Sequence, residues 1–252
     1  MINEVFKNPA VIEVAYEVRF PPQFYISRKI GDFQLEILDE FPESSQQVQT
    51  MVTLDANGVA LKDEANKPVL NWVFENVDSK TKITVKQNSL SIISTEFKSY
   101  DSGPENKFKD VVSQVVSKFR KHIPIKNFTR LGLRYIDRCP LDELTNEYFG
   151  KFYMPVIDIN KYRLEDLIDT LIQIRMKKPP HYLHFQSGIK LFGEKYKYFM
   201  DFDGYAQNVD ANQTARGHPA LKDGVCFGPR ARFFGIQKSS SLSCPEAFGL
   251  RN

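Results

Sequence analysis

Val11-Ile12-Glu13-Val14-Ala15-Tyr16-Glu17-Val18-Arg19-Phe20 sets Ile12, Val14, Tyr16, Val18 and Phe20 against Val11, Glu13, Ala15, Glu17 and Arg19. The period is two, which predicts a strand with one buried and one charged face, stopped by Pro21-Pro22. Ile30, Phe33, Ile37, Leu38 and Phe41 then recur at spacings of three and four. They form one stripe of a helix that ends at Pro42 and needs a sheet to cover.

Strand patterns return over Val48–Leu54, Val69–Val77, Thr81–Gln87 and Leu90–Phe97, with turns at Asn57-Gly58 and Asn88-Ser89. Short loops between such runs predict an antiparallel meander. Beyond Asp101-Ser102-Gly103-Pro104, the residues Phe108, Val111, Val112, Val115, Val116 and Phe119 mark an amphipathic helix. Lys118, Arg120, Lys121 and His122 suit the negative end of its dipole, and Pro124 bars continuation.

Phe128–Arg138 is a second alternating strand, with Leu131, Leu133 and Tyr135 on one face and Arg130, Arg134 and Arg138 on the other. Leu164, Leu167, Ile168, Leu171 and Ile172 predict a further helix ending before Pro179-Pro180, followed by strands over His181–Leu191 and Lys195–Tyr205. The fold class is therefore α+β, an antiparallel curved sheet with helices packed on one face. Residues 1–124 form a strand-helix-meander-helix half and residues 125–215 a strand-helix-two-strand half. The element order matches tandem helix-grip halves of the TATA-binding-protein-like fold, or alternatively two unrelated α+β subdomains, and in neither case does it carry a function. In the tandem arrangement the two opening strands lie side by side in mid-sheet.

Residues 216–252 show neither period and hold five glycines, three prolines and the run Ser239-Ser240-Ser241. Interior Gly and Pro oppose a closing helix there, by about 1 and 3 kcal/mol each. Two readings stand: a non-native ending left by a shifted or truncated frame, or a natural disordered tail.

With 42% apolar and 26% charged residues among 252, the chain has the balance of a soluble globular protein and is neither collagenous nor extensively disordered. The net charge of +3 is local, because residues 1–215 carry 28 basic and 29 acidic side chains and residues 216–252 carry 6 and 2. The pI of 8.6 is thus no pointer to nucleic acid. Cys139, Cys226 and Cys244 are widely spaced and form no Cys-x-x-Cys pair. No apolar run approaches the roughly 20 residues of a membrane helix. Met1–Lys7 lacks the pattern of a secretory signal, so a cytoplasmic protein without membrane partners is expected.

Asn8-Pro9-Ala10-Val11-Ile12-Glu13-Val14 with the later Arg19-Phe20, then Leu133-Arg134-Tyr135-Ile136-Asp137-Arg138, and finally Asp201-Phe202-Asp203 are the most distinctive segments. They resemble the signature segments of an uncharacterised prokaryotic family, sporadically distributed among bacteria and archaea. Its members run to about 260 residues, and the 252 residues of this chain amount to one large domain or two small ones. The resemblance spans residues 8 to about 205 and brings no activity with it. Family members end in a helical segment rich in Leu, His and acidic residues, from which this chain departs near Arg216.

The polar face of the two signature strands, Glu13, Glu17, Arg19, Arg130, Arg134 and Arg138, is the candidate binding set. At about 3.3 Å per residue, four-residue spacing puts neighbouring arginine Cα atoms about 13 Å apart. The row either faces a ligand or pairs with Glu13 and Glu17 across the strands. Lys118, Lys121, Lys126 and Arg130 form a basic cluster at the end of the long helix, an alternative nucleic-acid surface or simply a solvated helix terminus. Asp201 and Asp203 share a face with Lys195 and Lys197 and offer oxygen ligands for a divalent metal, against the plainer reading of charge alternation. His181 and His184 fall on opposite faces of a strand and cannot chelate one ion. No phosphate loop, dinucleotide fingerprint or nucleophile elbow occurs, and no cofactor is expected.

Three functions follow in order. The first is a non-enzymatic binding module that takes a protein or ligand on an open sheet face, within an accessory or defence gene set as the family's sporadic distribution implies. The second is a nucleic-acid-binding module through Arg130, Arg134, Lys118 and Lys121. The third is a metal-dependent hydrolase at Asp201 and Asp203.

Overall fold

The computed structural model describes residues 10–49, 53–55, 58–60, 69–101, 107–153, 163–179 and 181–210. Its elements are β1 (Val11–Arg19), α1 (Ile26–Ile37), β2 (Glu43–Gln49), β3 (Thr53–Asp55), β4 (Gly58–Ala60), β5 (Val69–Glu75), β6 (Thr81–Lys86) and β7 (Ser89–Ser94). There follow α2 (Phe108–His122), β8 (Asn127–Pro140), α3 (Asn146–Phe152), β9 (Ile172–Lys178), β10 (His181–Phe192) and β11 (Lys195–Asp210). Nine strands form one open antiparallel sheet in the order β2-β5-β6-β7-β1-β8-β11-β10-β9, and β3 pairs with β4 apart from it. The two signature strands, β1 and β8, are neighbours at its centre.

One face of this sheet is apolar and the other polar, as alternation requires. Val14, Tyr16 and Val18 of β1 and Leu131, Leu133 and Tyr135 of β8 are buried in one cluster with Phe33 and Ile37 of α1 and Phe108, Val112, Val115 and Phe119 of α2. The Phe33 ring meets Phe74 and Phe119 edge-on, at 5.7 and 5.3 Å. A smaller cluster joins Phe149 of α3 with Cys139, Ile189 and Tyr198 on the same side of the sheet. All three helices therefore lie on one face. No helix among the described residues is long and apolar enough to cross a membrane.

Several boundaries differ from the sequence reading. The helix expected over Leu164–Ile172 is a single 3-10 turn, Leu164–Asp166, followed by β9. Ile168 and Leu171 are exposed. Ile172, Ile174 and Met176 alternate with Gln173, Arg175 and Lys177, and the period of two wins over the three-four spacing because β10 offers a strand to pair with. β2 begins at Glu43, ahead of the expected Val48, because an exposed edge strand of Ser and Gln shows no burial alternation. The turn between β6 and β7 lies at Gln87-Asn88, not Asn88-Ser89. In β1 the register shifts between Val11 and Glu13, so Val11 is buried and Ile12 is the bulged residue, the reverse of the simple alternation. Leu38, assigned to the buried stripe of α1, is exposed. Asn57 of the expected Asn57-Gly58 turn and the whole of the 216–252 tail lie outside the described residues.

Replacing Phe33 by Ala should lower stability by about 3–5 kcal/mol, the usual cost of an aromatic-sized cavity in a filled core. Urea unfolding should show a lower midpoint with an unchanged slope. Burial, with a smaller contribution from Tyr100, pushes the Tyr16 phenol far above its ordinary pKa of 10.0. Burial, then Asp101 and Asp110, push Tyr100 up to about 12. The neutral phenols favour the folded state, so this stability is intact below the unfolded pKa of about 10 and is lost as pH rises through about 12. Denaturant midpoints across that window should fall, and Tyr100→Phe should make the decline shallower.

Candidate functional site

On the face opposite the helices, the register of β8 with its two neighbours stacks the charged residues of three strands. Glu17 of β1 lies opposite Gly132 of β8, and Gly132 lies opposite Tyr205 of β11. Arg130 folds its guanidinium over this row. Its Nη1 donates to Glu17 Oε2 at 2.6 Å, and its Nη2 donates to both Asp203 oxygens at 2.6 Å. The Tyr205 ring lies beneath, 4.6 Å from the guanidinium carbon. A Cβ at position 132 would stand 2.7 Å from Arg130 Nη1, so glycine is what lets the arginine lie flat.

Arg134 makes a bidentate pair with Asp201 at 2.8 and 2.6 Å. The hydrogen bonds and charge of Asp201, with Asp203 and Glu13 farther off, raise its pKa against the opposing effect of burial. Arg19 donates from Nε to Glu17 at 2.9 Å. The network balances Arg19, Arg130 and Arg134 against Glu17, Asp201 and Asp203; the Arg130 and Asp201 side chains are 15% and 13% exposed, whereas those of Arg19 and Arg134 are about half exposed. Short charge-assisted bonds of this kind fix side-chain geometry more than they add stability.

Of the sequence-predicted set, Arg130, Arg134, Glu17 and Arg19 come together, and Glu13 contributes only charge. The expected cross-strand ladder exists, but its main acids are Asp201 and Asp203 on β11. Both aspartates of the metal reading accept from arginine, and no cluster of three or more His, Cys, Asp or Glu suited to a metal occurs among the described residues. Arg138 stands apart, with its guanidinium 4.3 Å from the Phe192 ring. Lys118 and Lys121 belong to the helix layer, where they pair with Glu40 and Glu36 of the α1 region, whereas Arg130 lies on the opposite face of the sheet. Lys126 is exposed on the connection into β8. The basic cluster of the nucleic-acid reading is thus divided between the two sides.

Beside the arginine network the sequence reading missed a polar quarter built by β9, β10 and β11. Tyr182 and Tyr205 stack at 5.2 Å and 12°, and Lys177 lies 6.0 Å from the Tyr182 ring. Arg130, Tyr205, Tyr182 and Lys177 thereby form a row across four strands. His184 Nε2 lies between the side-chain amides of Gln173 and Gln186, at 2.5 and 3.3 Å. The available signal was parity, since Tyr205 shares a face with Asp201 and Asp203. No family model, curated protein or solved structure matches this chain.

Arg130→Ala should destabilise by about 2–4 kcal/mol, somewhat less than a fully buried pair, because Glu17 and Asp203 are left facing one another. Gly132→Ala should cost about 1–3 kcal/mol by displacing the guanidinium, and almost nothing more in the Arg130→Ala background. A double-mutant cycle in urea checks this; additive losses would mean that Gly132 acts independently of the arginine.

Proposed function

We propose that this chain is a non-enzymatic binding module that receives a partner or ligand on the open face of its sheet. The observation that carries the reading is the one-sidedness of the sheet: α1, α2 and α3 pack on one face, and the other presents mostly polar side chains, those at its centre already held in place by one another. Side chains ordered before binding lose little further entropy on contact, which suits recognition. Among the described residues no pair of catalytic groups stands out on this face. The arginines and carboxylates at its centre saturate each other, and His184 is held between two amides.

The reading extends to a cytoplasmic protein with two helix-grip halves, related to the sporadic prokaryotic family. Buried Cys139 fits a reducing compartment. The sheet order supports the two halves, because β1 and β8 each open a half, lie at mid-sheet, and have the last strand of their own half as outer neighbour.

A photo-crosslinking side chain placed at Thr84 or Gln173, on the open face, tests the proposal against one placed at Ser117, on the exposed side of α2. In extract of the source cell, discrete adducts should form from Thr84 and Gln173 and not from Ser117. Adducts confined to Ser117, or none from either open-face position, would overturn it.

A further inference from the structure

We infer that the hairpin end of the open face, built by Arg138, Lys190, Lys195 and Lys197 around Phe192, binds single-stranded nucleic acid through its phosphates. The assignment rests on the open-face reading and names its ligand class. β10 and β11 join through the two-residue turn Gly193-Glu194, with Gly193 at a φ of 63°. A positive φ at the first central residue is what such tight hairpins require, and it fixes the register of the flanking strands. That register sets Lys190 directly opposite Lys197 and Phe192 directly opposite Lys195, all on the polar face. Arg138 reaches in from β8 and lays its guanidinium over the Phe192 ring at 4.3 Å.

Opposed like charges destabilise a strand pair. Several cations of this protein are compensated: Lys82 pairs with Glu75, Lys118 with Glu40, Arg130 with Glu17 and Asp203, and Arg134 with Asp201, whereas Lys86, Arg175 and Lys177 of the open face make no ion pair among the described residues. Among the described residues Arg138, Lys190, Lys195 and Lys197 have no ion-pair partner, and Arg138 Nε is buried without a hydrogen bond. Asp201 and Asp203 on this face are committed to Arg134 and Arg130, and the turn itself adds one exposed carboxylate, Glu194. Four cations against the one carboxylate of Glu194 leave a net positive patch, which suits an anion with several charges.

The patch also interleaves cations with rings. Phe192 and Phe199 lie half-buried on the same face, and stacked Tyr182 and Tyr205 continue it toward the far end. A cationic track with aromatic side chains along it, on an open sheet, is the arrangement that holds a single strand, with phosphates on the cations and bases against the rings. Exposed Lys190 and Lys195 each contribute little alone, so affinity arises from the release of counterions along a polyanion.

Fluorescence anisotropy of a labelled mixed-sequence DNA oligomer, with the full chain, tests the assignment. With four phosphate contacts at about 0.7 each, the slope of log affinity against log salt should be about −2.8, a loss of about fifty-fold between about 50 and 200 mM salt. Lys190→Gln, Lys195→Gln and Lys197→Gln together should reduce the slope to about −0.7, with one contact remaining. Lys118→Gln with Lys121→Gln, in the helix layer, should leave it unchanged. Should the triple variant fail to fold, Lys195→Gln alone at the hairpin should still flatten the slope by about 0.7. No binding, a slope indifferent to these lysines, or equal competition by duplex DNA and by inorganic polyphosphate would each overturn the assignment. The crosslinks from Thr84 and Gln173 then decide the wider binding-module reading on their own.

Discussion

The antiparallel pairing of β1 with β8 is the constraint on which the rest depends. Val14, Tyr16 and Val18 lie beside Tyr135, Leu133 and Leu131, pair by pair, and all six are buried. A slip of one residue would turn that apolar set to water and bring Glu17, Arg134 and Arg130 against α1 and α2. The register is therefore set by burial, and everything on the opposite face inherits it. The helices follow from the same fact, since the buried stripes of α1 and α2 are complementary to the only apolar face the two strands share.

Once that register is set, the polar face has little freedom. Gly132 falls between Glu17 and Tyr205, and Arg130, two residues earlier, must fold back across the gap left by the missing side chain. Asp203 then lies within reach of Arg130 while Asp201 receives Arg134, so charge balance is local and almost complete. Ion pairs this well matched, with the central guanidinium nearly out of water, resist reorganisation and add little net stability. Their contribution is to hold the middle of a nine-stranded open sheet in one arrangement where no helix covers it.

Much of this was legible in the residues. Strict alternation in Val11–Phe20 and Phe128–Arg138, and the three-four stripe of Phe108–Phe119, named the central strands, the sidedness and the long helix, because each signal comes from burial against a single partner surface. Where partner surfaces were absent or competed, the reading failed. Glu43–Val48 of the edge strand β2 have no buried face and so no alternation to detect. Leu164–Ile172 holds apolar residues at helical spacing, but Ile172, Ile174 and Met176 also satisfy a strand, and only the presence of β10 decides between them. The bulge at Ile12 was invisible for a related reason, since an extra residue leaves the composition of a strand unchanged. The candidate site was half visible: four-residue spacing revealed the arginines and parity the aspartates, yet nothing in one dimension says that β11 is the neighbour of β8.

That adjacency also separates cations that look equivalent in the sequence. Arg130, Arg134 and Arg138 have identical spacing on one strand face, and the acids of β11 reach only the first two. Beyond Asp201 the face of β11 continues toward its hairpin as Phe199, Lys197 and Lys195, so the third arginine meets an aromatic ring and three lysines. Neutrality at the centre of the sheet and excess positive charge at its hairpin end are thus two outcomes of one register. A polyanion approaching the open face meets balanced charge over the arginine network and an excess of cations beside Phe192, so charge directs it away from the centre of the sheet.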